Sequence, residues 1–311
     1  MFDRKKIADL SHDHSTRNLI IFCIVVAVLF GVALVSGQLE LAVENNTLKT
    51  ADAEFQVHVL DVGQGDSILV VADGHAMLID AGEESSGSTV VRYLQRQEIE
   101  KLDYAVATHP HSDHIGGFPA VLEAVKVGRI VEADYPAQMT PTGSIYKNFL
   151  TAVKQEGARF GVMTAGDTFS LGNAKVTVLA PEEDYAPEDL NNASLVLRVE
   201  YQETACILTG DMEEPEEQAI LQSGAEISAD LLKVGHHGSE ASTSQAFLDA
   251  VDPQYAVISC GRENSYGHPA KGTLERIRAV AEKTYITAND GTVVYLFDAD
   301  TGESRISVNG R

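Results

Sequence analysis

The chain has 311 residues, 44% of them hydrophobic, and carries 46 acidic against 23 basic side chains, a formal net charge of −23. That apolar content excludes a disordered chain, and the length accommodates one large domain or two small ones. The charge lies almost wholly beyond Glu54 and excludes broad polyanion affinity through a basic surface, so a phosphodiester substrate would have to be held chiefly by metal ions and local donors.

Residues 1–18 form a short tail containing Arg4, Lys5, Lys6 and Arg17. Leu19 to Val35 is an uninterrupted apolar run followed by Ser36-Gly37, near the lower length limit for a bilayer-crossing helix. Basic residues before it and Glu40 and Glu44 after it predict a single-pass anchor over 19–37, with the tail cytoplasmic and the rest extracellular. A cleaved signal peptide is the competing reading, and it exports the same remainder. Residues 38–53 are polar and read as a linker, and the folded domain is expected over 54–311.

Strand-like runs open that domain at Phe55 to Leu60, Ser67 to Ala72 and Ala76 to Asp80, the last two joined by an Asp73-Gly74 hairpin turn. A helix at Ser88 to Gln97 and a strand at Leu102 to Ala107 follow. Next come helix Gly117 to Ala124, strand Gly128 to Val131, helix Ser144 to Glu156, and strands Thr168 to Ser170 and Lys175 to Ala180. A hairpin of Ser194 to Tyr201 with Ala205 to Leu208 turns at Gln202-Glu203. Helices are expected at Pro215 to Gln222, Thr243 to Ala250 and Lys271 to Glu282, alternating with strands Leu231 to Val234, Tyr255 to Ser259 and Thr284 to Thr287. Terminal strands cover Thr292 to Phe297 and Arg305 to Val308. Hairpins in each half with helices between them predict an α+β fold, a four-layer αββα sandwich whose loops converge at one edge. Cys206 and Cys260 each lie in an apolar run and are expected as buried free thiols.

The densest chemistry is Thr108-His109-Pro110-His111-Ser112-Asp113-His114, with three imidazoles and a carboxylate immediately after a strand. Imidazole and carboxylate suit zinc, iron or manganese; alternating His109 and His111 can serve one ion while Asp113 and His114 reach a second. Asp211, at the end of an apolar strand, is placed to bridge two ions, with Glu213 and Glu214 as rival ligands or Asp211 itself as a helix cap. One of His236 and His237 should bind metal, His237 being favoured, and the other is then free to donate to substrate or act as an acid. Asn192, Ser194, Ser239, Asn264, Tyr266 and His268 are candidate cleft residues or turn formers. Asp66 and Asp80 follow strands beside glycines and are either caps or site residues, whereas His58 and His75 are expected to be structural.

Together these strings resemble the metallo-β-lactamase superfamily, and from about Phe55 onward the hydrolase-like C-terminal domain of ComEC-type DNA uptake proteins. The resemblance is carried by DVGQGDS (61–67), IDAG (79–82), THPHSDHIGG (108–117), NNASLVLRVEY (191–201), ILTGD (207–211), LLKVGHHGS (231–239) and SCGRENSYGHP (259–269). It implies two divalent cations, zinc or manganese. His109 and His111 would hold the first, Asp113, His114 and one of His236 and His237 the second, with Asp211 bridging. Many superfamily hydrolases add a mid-chain histidine to the first ion, whereas this chain offers Asn192 there. ComEC-type proteins also carry a multi-helix channel where this chain has one apolar segment, so it is not expected to transport DNA alone. The implied activity is a membrane-anchored phosphodiesterase or nuclease acting on single-stranded DNA, with a separate channel or competence protein as the implied partner. The unliganded member of His236 and His237, or His268, would protonate the leaving group. Alternatives are a cell-envelope phosphodiesterase acting on teichoic acid or phosphocholine, and a non-catalytic metal-dependent binding protein.

Overall fold

The computed structural model describes residues 53–309 apart from 136–138, 184, 186 and 188. The expected tail and anchor over 1–37, and the linker apart from Ala53, lie outside the described residues. Among the described residues no helix is long and apolar enough to cross a membrane.

Strands β1 (Phe55–Val59), β2 (Ile68–Ala72) and β3 (His75–Ile79) form an antiparallel meander. Its tight turn is the expected Asp73-Gly74, both at positive φ (51° and 79°), as the twist of a two-residue hairpin requires. Then follow α1 (Gly87–Arg96), β4 (Lys101–Ala107), the single-turn α2 (Ser112–Ile115), α3 (Phe118–Ala124), β5 (Lys126–Ala133), α4 (Ser144–Glu156) and β6 (Arg159–Met163). The second half contains β7 (Thr168–Leu171), β8 (Ala174–Ala180), β9 (Val196–Tyr201), β10 (Thr204–Leu208), α5 (Glu214–Ser223), β11 (Leu231–Lys233), α6 (Gln245–Val251), β12 (Tyr255–Ile258), α7 (Lys271–Val280) and β13 (Lys283–Ile286). The chain ends in α8 (Thr287–Asp290), β14 (Thr292–Asp298) and β15 (Glu303–Asn309).

The strands form two sheets, ordered β15-β14-β1-β2-β3-β4-β5-β6 and β13-β12-β11-β10-β9-β8-β7. Side chains alternate between faces along each strand. Phe55, Val57 and Tyr295 of the first sheet meet Val176, Leu197 and Cys206 of the second in a shared central core. The opposite faces are covered by helices: Leu78, Leu102 and Ile130 pack with Phe118 and Phe149, and Ile207, Leu232 and Ala256 pack with Ile220, Phe247 and Ile277. Each fully buried side chain of this size contributes about 1.5–3 kcal/mol. This is the expected αββα sandwich. Cys206 and Cys260 are buried free thiols.

Parallel pairing of β3 with β4 and of β4 with β5, and of β10 with β11 and of β11 with β12, sends the ends of these strands to one edge of the sandwich. β6 was not expected from sequence. It is a sheet-edge strand in which only Met163 is buried, so it lacks the apolar alternation that marks a half-buried strand.

Glu132 on β5 is buried beneath α4, where Tyr146 donates a 2.8 Å hydrogen bond to its Oε1 and its Oε2 has no partner among the described residues. Burial raises its carboxyl from 4.5 to about 7. The folded state therefore holds a proton that the unfolded chain releases, and the stability this provides is lost as pH rises from about 4.5 to about 7. Glu132→Gln is expected to raise unfolding stability by on the order of 2 kcal/mol at pH 8 and by little at pH 4.5. Denaturant midpoints at the two pH values measure this, and equal effects at both would contradict it.

Candidate metal centre

Backbone hydrogen bonds stitch the strand-end loops together: Asp66 N donates to Asp113 O (3.1 Å), Leu195 N to Thr108 O (2.9 Å), and His236 N to Gly210 O (3.2 Å). Two glycines permit this approach. A Cβ at Gly65 would overlap the Asp113 carbonyl, and one at Gly210 would come within 3.0 Å of the Thr108 and Ser194 side chains.

Asp211 stands at the centre, 2% exposed. Its Oδ1 lies 3.1 Å from His114 Nε2 and 3.4 Å from His237 Nε2, while its Oδ2 lies 3.7 Å from both His109 Nε2 and His236 Nε2. His237 Nε2 is also 3.3 Å from Asp113 Oδ2, and His109 Nε2 is 3.0 Å from His111 Nδ1. Two compact donor groups meet here, Asp113 with His114, Asp211 and His237, and His109 with His111 and Asp211, and a third consists of Asp66, Asp80 and His114; within each, the donor atoms lie within 4.8 Å of one another. Asp211 belongs to the first two. His114 Nε2, His237 Nε2 and Asp211 Oδ1 are buried yet make no hydrogen bond among the described residues, although they lie within 4.8 Å of one another. Such a set of nitrogen and oxygen donors fits divalent cations.

The opposite ring nitrogens are fixed from behind, as metal-binding imidazoles usually are. His114 Nδ1 is 2.7 Å from Asp80 Oδ2, and Asp80 also takes hydrogen bonds from the Thr108 hydroxyl (2.7 Å) and amide (2.9 Å). His237 Nδ1 donates to Ser259 O at 2.9 Å and lies 3.4 Å from Asp66 Oδ1. Lys233, fully buried at the end of β11, places its Nζ 2.7 Å from Asp66 Oδ2. His236 Nδ1 is 2.8 Å from Glu213 Oε1.

The electrostatics follow this wiring. Burial alone would raise the Asp211 carboxyl, but His114 and His237 outweigh it and hold it well below the usual range. Burial opposes the charged forms of His114 and His237, but Asp211 and the other facing carboxylates hold both well above an ordinary histidine. His109 is pushed well below by burial, with His114 adding to the effect, so its imidazole is neutral and offers a lone pair. Burial would likewise raise Asp66, yet Lys233 and then His237 hold it at about 2.

Beside these groups lies a cleft of about 200 Å³ lined by Gln64, His111, Asp113, Asn191, Asp211, His236, His237, Tyr266 and His268. A larger groove of about 690 Å³ beside α3 and α4 contains no histidine or cysteine and is remote in character from this chemistry. His109, His111, Asp113, His114, Asp211 and His237 thus come together, and His236, His268 and Tyr266 face the cleft.

Other expected cleft residues are placed differently. Ser194 is fully buried below Asp211; its Oγ accepts from Asp211 N (3.1 Å) and lies 3.4 Å from His109 Nδ1. Asn192 is buried against Glu213. Ser239 closes its own turn by accepting from Ala241 N. The Asn264 side chain is engaged by the backbone of Gly261 and His268. Their short polar side chains satisfy local backbone groups, which explains why they sit under the site instead of lining it. Glu213 contacts His236, and Glu214 begins α5. Asp66, Asp80 and Lys233 are supports that sequence reasoning missed or left open; the one visible signal was a lysine inside an otherwise apolar strand.

Two helix-covered sheets with this edge constellation define a metallo-hydrolase fold. The chain belongs to the Metallo-beta-lactamase superfamily, which its residues 60–262 match; this fold binds divalent metals, typically two. It is similar to ComE operon protein 3 of Bacillus subtilis (strain 168), 32% identical over 272 residues that cover 80% of this chain and 34% of that protein. It is also similar to competence protein ComA of Neisseria gonorrhoeae, 34% identical over 244 residues, 78% of this chain and 32% of that one. The resemblance to ComEC-type competence proteins therefore holds through the folded region, and the chain spans about a third of the length of these relatives. Among solved structures, CmlA, a diiron β-hydroxylase from Streptomyces venezuelae, shares the fold at 14% identity with a TM-score of 0.53, covering 83% of this chain and 54% of that one.

Proposed function

We propose that this chain is a metal-dependent phosphodiesterase that cleaves single-stranded DNA, working outside the cytoplasm in a ComEC-like role and tethered by residues 19–37. The observation that carries the reading is the single buried carboxylate, Asp211, shared by two donor groups beside an open cleft. The competence relatives support DNA as the substrate.

His109, His111 and Asp211 would hold one cation, and Asp113, His114, His237 and Asp211 the other. Two divalent cations there, zinc or manganese, would supply Lewis-acid charge and bring the pKa of water down to about 7. The remaining work belongs to the chain. Asp80 orients His114, and Asp66 with the Ser259 carbonyl orients His237, so that both Nε2 atoms point at Asp211. The half-buried rings of His236 and His268, 5.5 Å apart and nearly perpendicular, face the space in front of Asp211, where they can donate to phosphoryl oxygens or to the departing alkoxide. Tyr266, 69% exposed beside His268, offers a ring to the substrate.

A cell-envelope phosphodiesterase is the second reading. It is favoured by the net charge of −23 and by a cleft lining without Lys or Arg, neither of which suits a long polyanion. The full chain loaded with manganese or zinc is expected to hydrolyse single-stranded DNA and bis(p-nitrophenyl) phosphate, to stop on chelation, and to be inhibited by DNA more than by teichoic acid or phosphocholine. The reverse order of inhibition would favour the envelope reading. DNA retention without turnover, with steep salt dependence, would point to a binding protein and overturn the proposal.

A further inference from the structure

His236 and His237 are adjacent but have different surroundings. Both adopt left-handed backbone conformations (φ 43° and 54°), a rare pairing for non-glycine residues, and this turns the two rings to opposite oxygens of Asp211. The His237 side chain is 1% exposed and belongs to a compact donor group. The His236 side chain is 22% exposed, stands outside both donor groups and lines the cleft. Each ring nevertheless has its Nδ1 fixed: His237 by the Ser259 carbonyl (2.9 Å), His236 by Glu213 Oε1 (2.8 Å).

Glu213 is itself clamped. Its backbone N donates to Asn192 Oδ1 (3.3 Å), and its Oε2 accepts from Asn192 Nδ2 (3.4 Å). Asn192 is 4% exposed, and its own N lies 3.3 Å from Asp189 Oδ1. Asn192 thus holds Glu213 at its backbone and at one carboxylate oxygen, while the other oxygen grips one imidazole nitrogen and leaves that ring little freedom to rotate.

We propose that Glu213, held by Asn192, is a positioning residue. It fixes the His236 ring through its Nδ1–H, with Nε2 directed into the cleft at the phosphoryl group of a bound phosphodiester, so His236 contacts substrate and not a cation. This inference rests on the hydrolase reading above and adds to it a residue pair that neither donor group contains. It also gives Asn192 a role: the asparagine supports the substrate-facing histidine through Glu213.

The test uses the full-length chain with His236→Ala, Glu213→Ala and Glu213→Gln. Calorimetric titration with Mn²⁺ is expected to give the wild-type number of bound ions in all three. Turnover of bis(p-nitrophenyl) phosphate should fall about 10²–10³-fold for His236→Ala and about 10–100-fold for Glu213→Ala, with KM within about threefold. Glu213→Gln, whose amide oxygen still accepts from Nδ1–H, should recover most of the loss. Independently of activity, the long-range ¹H–¹⁵N NMR pattern of the Zn²⁺-loaded protein should show a protonated, hydrogen-bonded Nδ1 on His236 in wild type and Glu213→Gln, and a changed pattern in Glu213→Ala. Loss of an ion in His236→Ala or Glu213→Ala would overturn the inference in favour of a metal-binding role. An unchanged Nδ1 signal in Glu213→Ala, or a raised KM at constant turnover, would overturn it as well. A wild-type chain that binds metal but hydrolyses no phosphodiester would defeat the hydrolase reading, and the Nδ1 signal would still decide whether Glu213 positions the ring.

Discussion

Asp211→Ala is expected to abolish metal-dependent turnover, lowering it by at least about 10³-fold, and to leave the protein unable to hold two ions at once. The size of the effect follows from position. Asp211 is the one residue common to both donor groups, and four imidazole nitrogens lie within 3.7 Å of its two oxygens. Its removal takes a donor from each group and the negative charge that holds His114 and His237 well above ordinary histidines. Asp211→Asn separates these contributions, since it retains the volume and loses the charge. Steady-state rates together with metal stoichiometry measure the outcome, and turnover within about tenfold of wild type would show that Asp211 is not shared between ions.

Lys233→Ala is expected to give the largest loss of stability, about 3–5 kcal/mol, with Tm falling on the order of 10 °C. Lys233 is fully buried, and its ammonium both pairs with Asp66 at 2.7 Å and donates to the Val234 carbonyl at 2.8 Å. Without it Asp66 becomes an uncompensated buried carboxylate, the costly half of a broken interior ion pair. Adding Asp66→Asn should restore part of the loss, because the stranded charge is then gone and the two changes are coupled by direct contact. Thermal and denaturant melts of the single and double variants test this, and strictly additive losses would contradict the pairing. Asp66 also faces His237, so Lys233→Ala should weaken metal binding even at temperatures where the variant remains folded.

Much of this organisation can be read from the chain because its chemistry and its strand ends coincide. Apolar runs ending at Ala107, Leu208 and Lys233 mark strands whose following loops carry His109 to His114, Asp211 and His236-His237. Helix α4 begins and ends where its apolar spacing predicts. The unresolved choice between His236 and His237 depended on two successive left-handed backbone conformations that no spacing rule encodes. Asn192 and Ser194 were expected at the cleft, but the 3₁₀ turn Asn191–Ala193 carries them beneath Asp211. Asp66 and Asp80 could be caps or site residues from sequence alone, and only the folded loops after β1 and β3 show them behind His237 and His114. The expected anchor over 19–37 lies outside the described residues.

Anomalous diffraction from crystals grown with manganese tests the central claim most directly. The account predicts two peaks on either side of the Asp211 carboxylate, one against His109 and His111 and the other against Asp113, His114 and His237. No peak at this edge, or a lone peak that does not touch Asp211, would contradict it.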